Sequence, residues 1–257
     1  MILKISTIEA DLKWNDPQYN LEQISVLMDN APKAEIYVLP EMFPTGFVTD
    51  PKIIDPMYSQ EFILDWMRAE ASKRDAAIVG SAAVKDGPAF YNRAFFVRPT
   101  DNSNAEVLFY DKHHLFNHGG EDEFYSAGTK RMIVEYKSFK ILLLVCYDLR
   151  FPVWSRNKIV NEKTEEFEYD LLIYMASWPT PRINVWDILL RARAIENQCY
   201  VVGVNRVGQD PYNEYPGHSA IIDYKGNLII EGELNLMQLQ DFRRKFCTLK
   251  DGNNFSI

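Results

Sequence analysis

Short apolar runs of strand length recur along this chain, separated by stretches whose apolar residues return every third or fourth position. Residues 141–145 are an unbroken run of Ile, Leu and Val, the pattern of a strand buried on both faces. Similar runs predict strands at 3–8, 36–39, 77–83, 94–98, 106–110 and 132–136, then at 171–175, 200–205, 219–223 and 228–231. Helical spacing predicts helices over 20–30, 60–74, 153–160 and 185–197, with Phe62, Trp66 and Ala69 sharing one face of the second. In the last, Arg193 and Asn197 stand one turn apart, as in a helix that packs a small face tightly. One hairpin turn is expected near 100–104 and another at Lys225-Gly226-Asn227. Strands alternating with helices make an α/β domain of layered sheets and helices.

Composition narrows the class. The chain has 257 residues, 47% of them hydrophobic, enough for a sizeable core. No Ser/Gly-rich linker divides it, so one domain over residues 1–257 is expected. A formal charge of −8 argues against an electrostatic nucleic-acid binder. No apolar run approaches the roughly 18 residues of a membrane span, and Met1-Ile2-Leu3-Lys4-Ile5 reads as a strand rather than a signal peptide. Three cysteines, Cys146, Cys199 and Cys247, are too few and odd in number for a disulfide framework. They fit a reducing, cytoplasmic setting.

Chemistry gathers where the strands stop. The run 141–145 leads into Cys146-Tyr147-Asp148-Leu149-Arg150-Phe151-Pro152, which sets a thiol at a strand tip beside backbone amides able to receive an oxyanion. Residues 36–39 lead into Pro40-Glu41-Met42-Phe43-Pro44, and 107–110 into Asp111-Lys112-His113-His114-Leu115-Phe116. Three apolar strands thus deliver Glu41, Lys112 and Cys146 at their ends, where α/β folds collect ligands and catalytic groups.

With these motifs the chain resembles the nitrilase superfamily of carbon–nitrogen hydrolases, whose signature is a Glu–Lys–Cys set in this order, and within it the omega-amidase branch. The resemblance spans about residues 3–231. It implies a four-layer αββα sandwich, a homodimer and no metal or other cofactor, with residues 235–257 a tail at the dimer interface. It also implies a thiol amidohydrolase that cleaves the omega-amide of short 2-oxo dicarboxylic acid monoamides, such as 2-oxoglutaramate and 2-oxosuccinamate. The acid and ammonia would leave through a cysteine thioester. Other amidase branches, acting on N-carbamoyl or peptide-like amides, are the alternative; a non-catalytic binding protein on the same fold is a weaker one.

Residue types suit that chemistry. Glu41 accepts the Cys146 proton and passes it to the departing amine. Lys112 and the Tyr147 N–H hold the oxyanion. Within Asn117-His118-Gly119-Gly120-Glu121, Glu121 matches a second family glutamate that props the lysine. Trp178, just past 171–175, is expected to wall the pocket with Phe43 and Phe116, and Phe47 and Tyr147 are possible company. A substrate carboxylate needs a cation, and Arg150 and Arg182 are both candidates, although Arg150 could equally pair with Asp148. His113, His114 and His118 lie close together but match no metal-ligand spacing. Cys146 is expected to be alkylated faster than Cys199 or Cys247, as a pre-activated thiol.

Overall fold

In the computed structural model, residues 1–99, 107–161, 163 and 166–252 are described. The strands are β1 (Ile2–Thr7), β2 (Ile36–Val38), β3 (Ala77–Asp86), β4 (Ala89–Val97), β5 (Leu108–Asp111), β6 (Ile133–Tyr136), β7 (Phe139–Val145), β8 (Ile159–Asn161), β9 (Glu166–Phe167), β10 (Leu171–Ala176), β11 (Tyr200–Asn205), β12 (Val207–Gln209), β13 (Glu214–Pro216), β14 (Ala220–Ile222) and β15 (Glu233–Asn235). The α-helices are α1 (Pro17–Asn30), α2 (Gln60–Arg74), α3 (Ile183–Asn197) and α4 (Leu236–Lys245).

Two sheets form the centre: a six-stranded sheet ordered β15-β1-β2-β3-β4-β5 and a five-stranded sheet ordered β14-β11-β10-β7-β6. Alternation along each strand sorts side chains into two layers. Ile36, Val38, Val79, Ala94 and Phe96 face the second sheet and join Leu142, Leu144 and Ile173 in one core. Tyr37, Leu39, Ile78, Phe95 and Val97 face the other way, onto Leu21, Ile24 and Met28 of α1 and Ile63, Leu64 and Met67 of α2. Trp186, Leu190 and Ala194 of α3 cover the outside of the five-stranded sheet. The result is the expected four-layer αββα sandwich.

Several predicted elements move. Residues 153–160 form no helix; turns lead into β8. Asn157 explains this: its Oδ1 accepts the Lys158 amide (3.0 Å) and its own backbone amide donates to Asn197 Oδ1 (2.9 Å), so two backbone N–H groups of the segment are taken from helical bonding. Residues 228–231 form no strand and contribute only a bridge from Ile222 to Leu228. The chain then turns at Gly232, φ +68°, into β15, which pairs with β1. The turn at Lys225-Gly226-Asn227 is present, closed by the Asp223 amide on the Asn227 carbonyl at 2.8 Å; that at 100–104 lies outside the described residues. On α2 the buried stripe is Ile63, Leu64, Met67, Glu70 and Ala71, one step round from Phe62, Trp66 and Ala69. Residues 236–245, assigned no element from sequence, are helical and dock on their own chain. There Arg243 reaches the Gln198 carbonyl (2.8 Å) and Asp170 (2.6 Å).

Gly203 of β11 lies under α3, where a Cβ would meet Leu190 at 2.5 Å and Trp186 at 2.8 Å. Gly203→Ala is therefore expected to lower the urea-unfolding free energy by about 1–3 kcal/mol through overpacking. An unchanged midpoint would show that α3 tolerates displacement.

Candidate active site

Four strands, two from each sheet, end around one cavity, and each is followed within three residues by a polar group of its lining. After β2, the chain kinks at Met42, φ +46°. The kink is fixed by the Met42 amide on Ser81 Oγ (2.9 Å) and bridged to the other sheet by the Glu41 amide on the Ala176 carbonyl (3.4 Å). After β5 comes Lys112, its amide bonded to the Asn92 carbonyl at 2.9 Å. After β7 comes Cys146, φ +43°, at the head of a short 3₁₀ turn, Cys146–Arg150. After β10 comes Ser177.

A non-glycine residue in the left-handed region is strained and persists only where its surroundings hold it. Asp148 holds this one. Its buried carboxylate accepts the Val145 amide (3.0 Å), the Tyr110 hydroxyl (2.8 Å), the His114 amide (2.9 Å) and His114 Nδ1 (2.8 Å). The strand before the thiol and the segment after Lys112 are thereby tied together.

Three buried charges meet at the cavity floor. Lys112 Nζ lies 2.9 Å from Glu41 Oε1, and 3.0 and 2.7 Å from the two oxygens of Glu121. The side chains of Lys112, Glu41 and Glu121 are fully buried. Asn92 Nδ2 donates to Glu41 (2.8 Å) and Glu121 (3.0 Å), the Ser177 amide to Glu41 Oε2 (3.0 Å), and the Phe116 amide to Glu121 Oε2 (2.7 Å). Burial alone would strip the Lys112 proton, but Glu121 and Glu41 outweigh it and hold the ammonium above its ordinary range. Burial also raises the Glu121 carboxyl, with Lys112 opposing and Glu41 adding to the rise.

Burial pushes the Cys146 thiol well up, the Glu41 charge adds to it, and Lys112 opposes. Burial and the Glu41 charge thus favour the protonated thiol, with Glu41 placed to receive its proton. Cys199 is buried in β11's approach and its thiol too is raised by burial.

The cavity above this floor has a volume of about 380 Å³. Glu41, Lys112, Cys146, Tyr147, Trp178, Phe116 and Arg150 all line it, as do Phe47 and Arg182, while Glu121 stands behind Lys112. Phe43 does not. It turns to the helix-covered side with Leu39 and packs on Trp66, ring centroids 5.5 Å apart. Nor does Arg150 pair with Asp148, whose oxygens are taken by the partners above; its guanidinium lies 5.1 Å from the Trp178 ring centroid.

His113 stacks on Trp154 at 3.8 Å and turns Nδ1 to the Gly128 carbonyl (2.6 Å). His114 stacks on Phe151, and His118 lines the cavity. Among the described residues, no His, Cys, Asp and Glu side chains group as ligands for a metal.

Sequence reasoning missed Asn92, Ser177 and the Asp148 anchor. Ser177 was within reach of the strand-end argument, since it follows Ala176 of β10 directly. Asn92, a buried amide in a strand otherwise rich in aromatics, carried a polar-in-core signal. The hairpin of β12 and β13, whose Asp210, Tyr212, Asn213 and Tyr215 line the cavity, carried none.

Known proteins match this chain over most of its length. The carbon–nitrogen hydrolase family profile matches residues 4–239. Omega-amidase YafV of Escherichia coli K12 is 40% identical, over 99% of this chain and 98% of its own. A 2-oxoglutaramate amidase of Bacillus subtilis is 34% identical, over 89% and 85%. A solved CN-hydrolase superfamily protein of Xanthomonas campestris, with an arsenic adduct in its active site, superposes with a TM-score of 0.89 at 35% identity, covering 100% of this chain and 99% of that one.

Lys112 is the only cation in the buried cluster of Glu41, Glu121 and Lys112, so removing its charge strands two carboxylates. Lys112→Met is expected to cost about 3–5 kcal/mol at neutral pH. The loss should shrink on acidification: burial already raises the Glu121 carboxyl and removing the ammonium takes away the charge that opposes the rise, so stability returns as pH falls through that raised range. Denaturation of both proteins at two pH values measures this, and a pH-independent difference would refute it.

Proposed function

The chain belongs to the carbon–nitrogen hydrolase family and is an amide-hydrolysing enzyme, and from that premise we propose that it cleaves the omega-amide of short 2-oxo dicarboxylic acid monoamides, 2-oxoglutaramate among them. Two relatives are named for such activities: the omega-amidase and the 2-oxoglutaramate amidase. The observation that carries the reading is the position of the Glu41 carboxylate. It is bonded to Lys112 at 2.9 Å and to the Ser177 amide at 3.0 Å, and it raises the neighbouring Cys146 thiol by its charge and by a hydrogen bond.

In the proposed reaction, Cys146 Sγ attacks the amide carbon while its proton passes to Glu41. The carbonyl oxygen becomes an oxyanion facing Lys112 Nζ and the Tyr147 amide, one of the leading N–H groups of a 3₁₀ turn that lack intrahelical acceptors. Collapse breaks the C–N bond, and the proton on Glu41 leaves with ammonia. A water deprotonated by Glu41 then attacks the thioester, returning the thiol and the free acid. Glu121 acts through Lys112, fixing the ammonium with both its oxygens. Trp178 and Phe116 wall the cavity where the rest of the substrate lies.

Ammonia release from 2-oxoglutaramate, 2-oxosuccinamate, glutamine, asparagine, an N-carbamoyl amine and a simple nitrile tests the reading, with Cys146→Ala as blank. Turnover is expected for the two oxo acid amides, with at least a thousandfold loss in the blank. Turnover only of the N-carbamoyl compound would overturn the substrate assignment. Undiminished turnover by Cys146→Ala would overturn the mechanism.

A further inference from the structure

Two half-buried guanidiniums face the cavity without an anionic partner. Arg150 closes the 3₁₀ turn that begins at Cys146, and Arg182 stands just before α3. Their charges rest on aromatic faces: the guanidinium carbon of Arg150 lies 5.1 Å from the Trp178 ring and that of Arg182 lies 5.4 Å from the Phe116 ring. Among the described residues neither side chain has a hydrogen-bond acceptor or an ion pair. Three other shielded arginines are matched at close range: Arg93 with Asp111 (2.6 Å), Arg243 with Asp170 (2.6 Å), Arg131 with Glu168. An aromatic face offsets part of the loss of hydration of a guanidinium, but leaves its planar row of donors open.

The anions already in the cavity are committed. Glu41 holds Lys112 and the Ser177 amide. Asp210 accepts the Tyr215 hydroxyl (2.5 Å) and the Tyr212 and Asn213 amides (2.8 Å each) within its own hairpin. Trp178 serves both arginines, since its Nε1 donates to the Arg182 carbonyl at 2.8 Å and so fixes the backbone that carries the second cation.

We infer that Arg150 and Arg182 form a clamp for the carboxylate that the substrate carries beyond its reacting amide. The inference rests on the proposed 2-oxo acid amide reading and deepens it. A guanidinium fork matches a carboxylate bidentately. An α-ammonium placed beside two such charges is repelled, whereas a 2-oxo group is not, so the same pair favours an oxo acid amide over the corresponding amino acid amide. Arg150 and Arg182 are specificity residues; neither is assigned a part in bond breaking.

The test compares Arg182→Gln, Arg150→Gln and Arg182→Lys on 2-oxoglutaramate and on butanamide, a primary amide without a carboxylate. Each Gln variant is expected to lower kcat/KM for 2-oxoglutaramate roughly tenfold or more, mainly through KM, and by a clearly larger factor than for butanamide. Arg182→Lys should recover part of the loss. Equal losses on both amides would mean a structural role and overturn the clamp. Independently, 2-oxoglutarate should raise the Tm of Cys146→Ala by binding the folded state, and lose most of that effect when Arg182→Gln is added. No shift in Cys146→Ala, or an equal shift in the double variant, would also overturn it. A shift that depends on Arg182 in an enzyme that does not turn over 2-oxoglutaramate would instead refute the substrate reading and leave the clamp standing.

Discussion

Much of this structure is arranged around one buried ammonium. The Lys112 side chain has lost all contact with solvent, a transfer that would drive an isolated amine to its neutral form. Glu41 and Glu121 keep it charged. With both carboxylates ionised the cluster carries one net negative charge, and that excess falls on oxygens met by N–H donors: Asn92 Nδ2 and the amides of Ser177 and Phe116. These groups come from β4, from the ends of β2, β5 and β10, and from the loop after Lys112. No single segment could assemble them. The cluster exists only when the two sheets are packed in register at this edge, so folding and the building of the site are one event.

Two of the eight non-glycine residues with positive φ among the described residues lie at the same place. Glu41 is followed, and the catalytic candidate Cys146 is itself occupied, by residues in the left-handed region, at a cost of about 1–3 kcal/mol each. Neither position is a glycine, because at Cys146 the side chain is the point. The strain is offset by bonds that need the rest of the fold: Ser81 Oγ and the Ala176 carbonyl around Met42, and the Asp148 carboxylate around Cys146. Asp148 in turn is tied to β5 through Tyr110, whose hydroxyl is also donated to by Trp154 Nε1 at 2.9 Å. The polar web under the thiol is therefore a brace between the sheets as much as a part of the site.

Legibility in the sequence followed the range of the forces involved. Strands buried on both faces, such as β7 and β10, announce themselves as apolar runs, and a residue just past such a run is already close to the site; Glu41, Lys112 and Cys146 were found in this way. Where a side chain decides its own backbone, periodicity misleads. Asn157 diverts 153–160 from a helix by giving its own backbone amide to the Asn197 side chain, a partner that only the folded chain brings near. Phe43 shows the same limit at one residue. Its neighbours placed it by the cavity, but the kink at Met42 returns it to the α2 side of the sheet, a half-turn that no local pattern records. β15 and α4 stayed invisible because β15 is short and gains its stability from β1, more than two hundred residues earlier in the chain.

The resting protonation of the site bears on how it works. A cysteine held as thiolate would add a third anion to a pocket that already carries Glu41 and Glu121, and the environment opposes it: burial and Glu41 push the thiol up more strongly than Lys112 pulls it down. In the proposed reaction the nucleophile is then made only as it is consumed. As sulfur bonds to carbon, its proton neutralises Glu41, and the negative charge lost there reappears on the substrate oxygen. Lys112 already lies 2.9 Å from Glu41 and can face both oxygens in turn, so the charge moves a short way around one fixed cation while the net charge of the pocket stays constant. A solvent would have to reorganise to follow such a shift; a buried ammonium locked by Glu121 does not. On this account the high affinity of Lys112 for its own proton is a requirement of the chemistry, since a lysine that gave its proton to the oxyanion would leave Glu121 unpaired and buried.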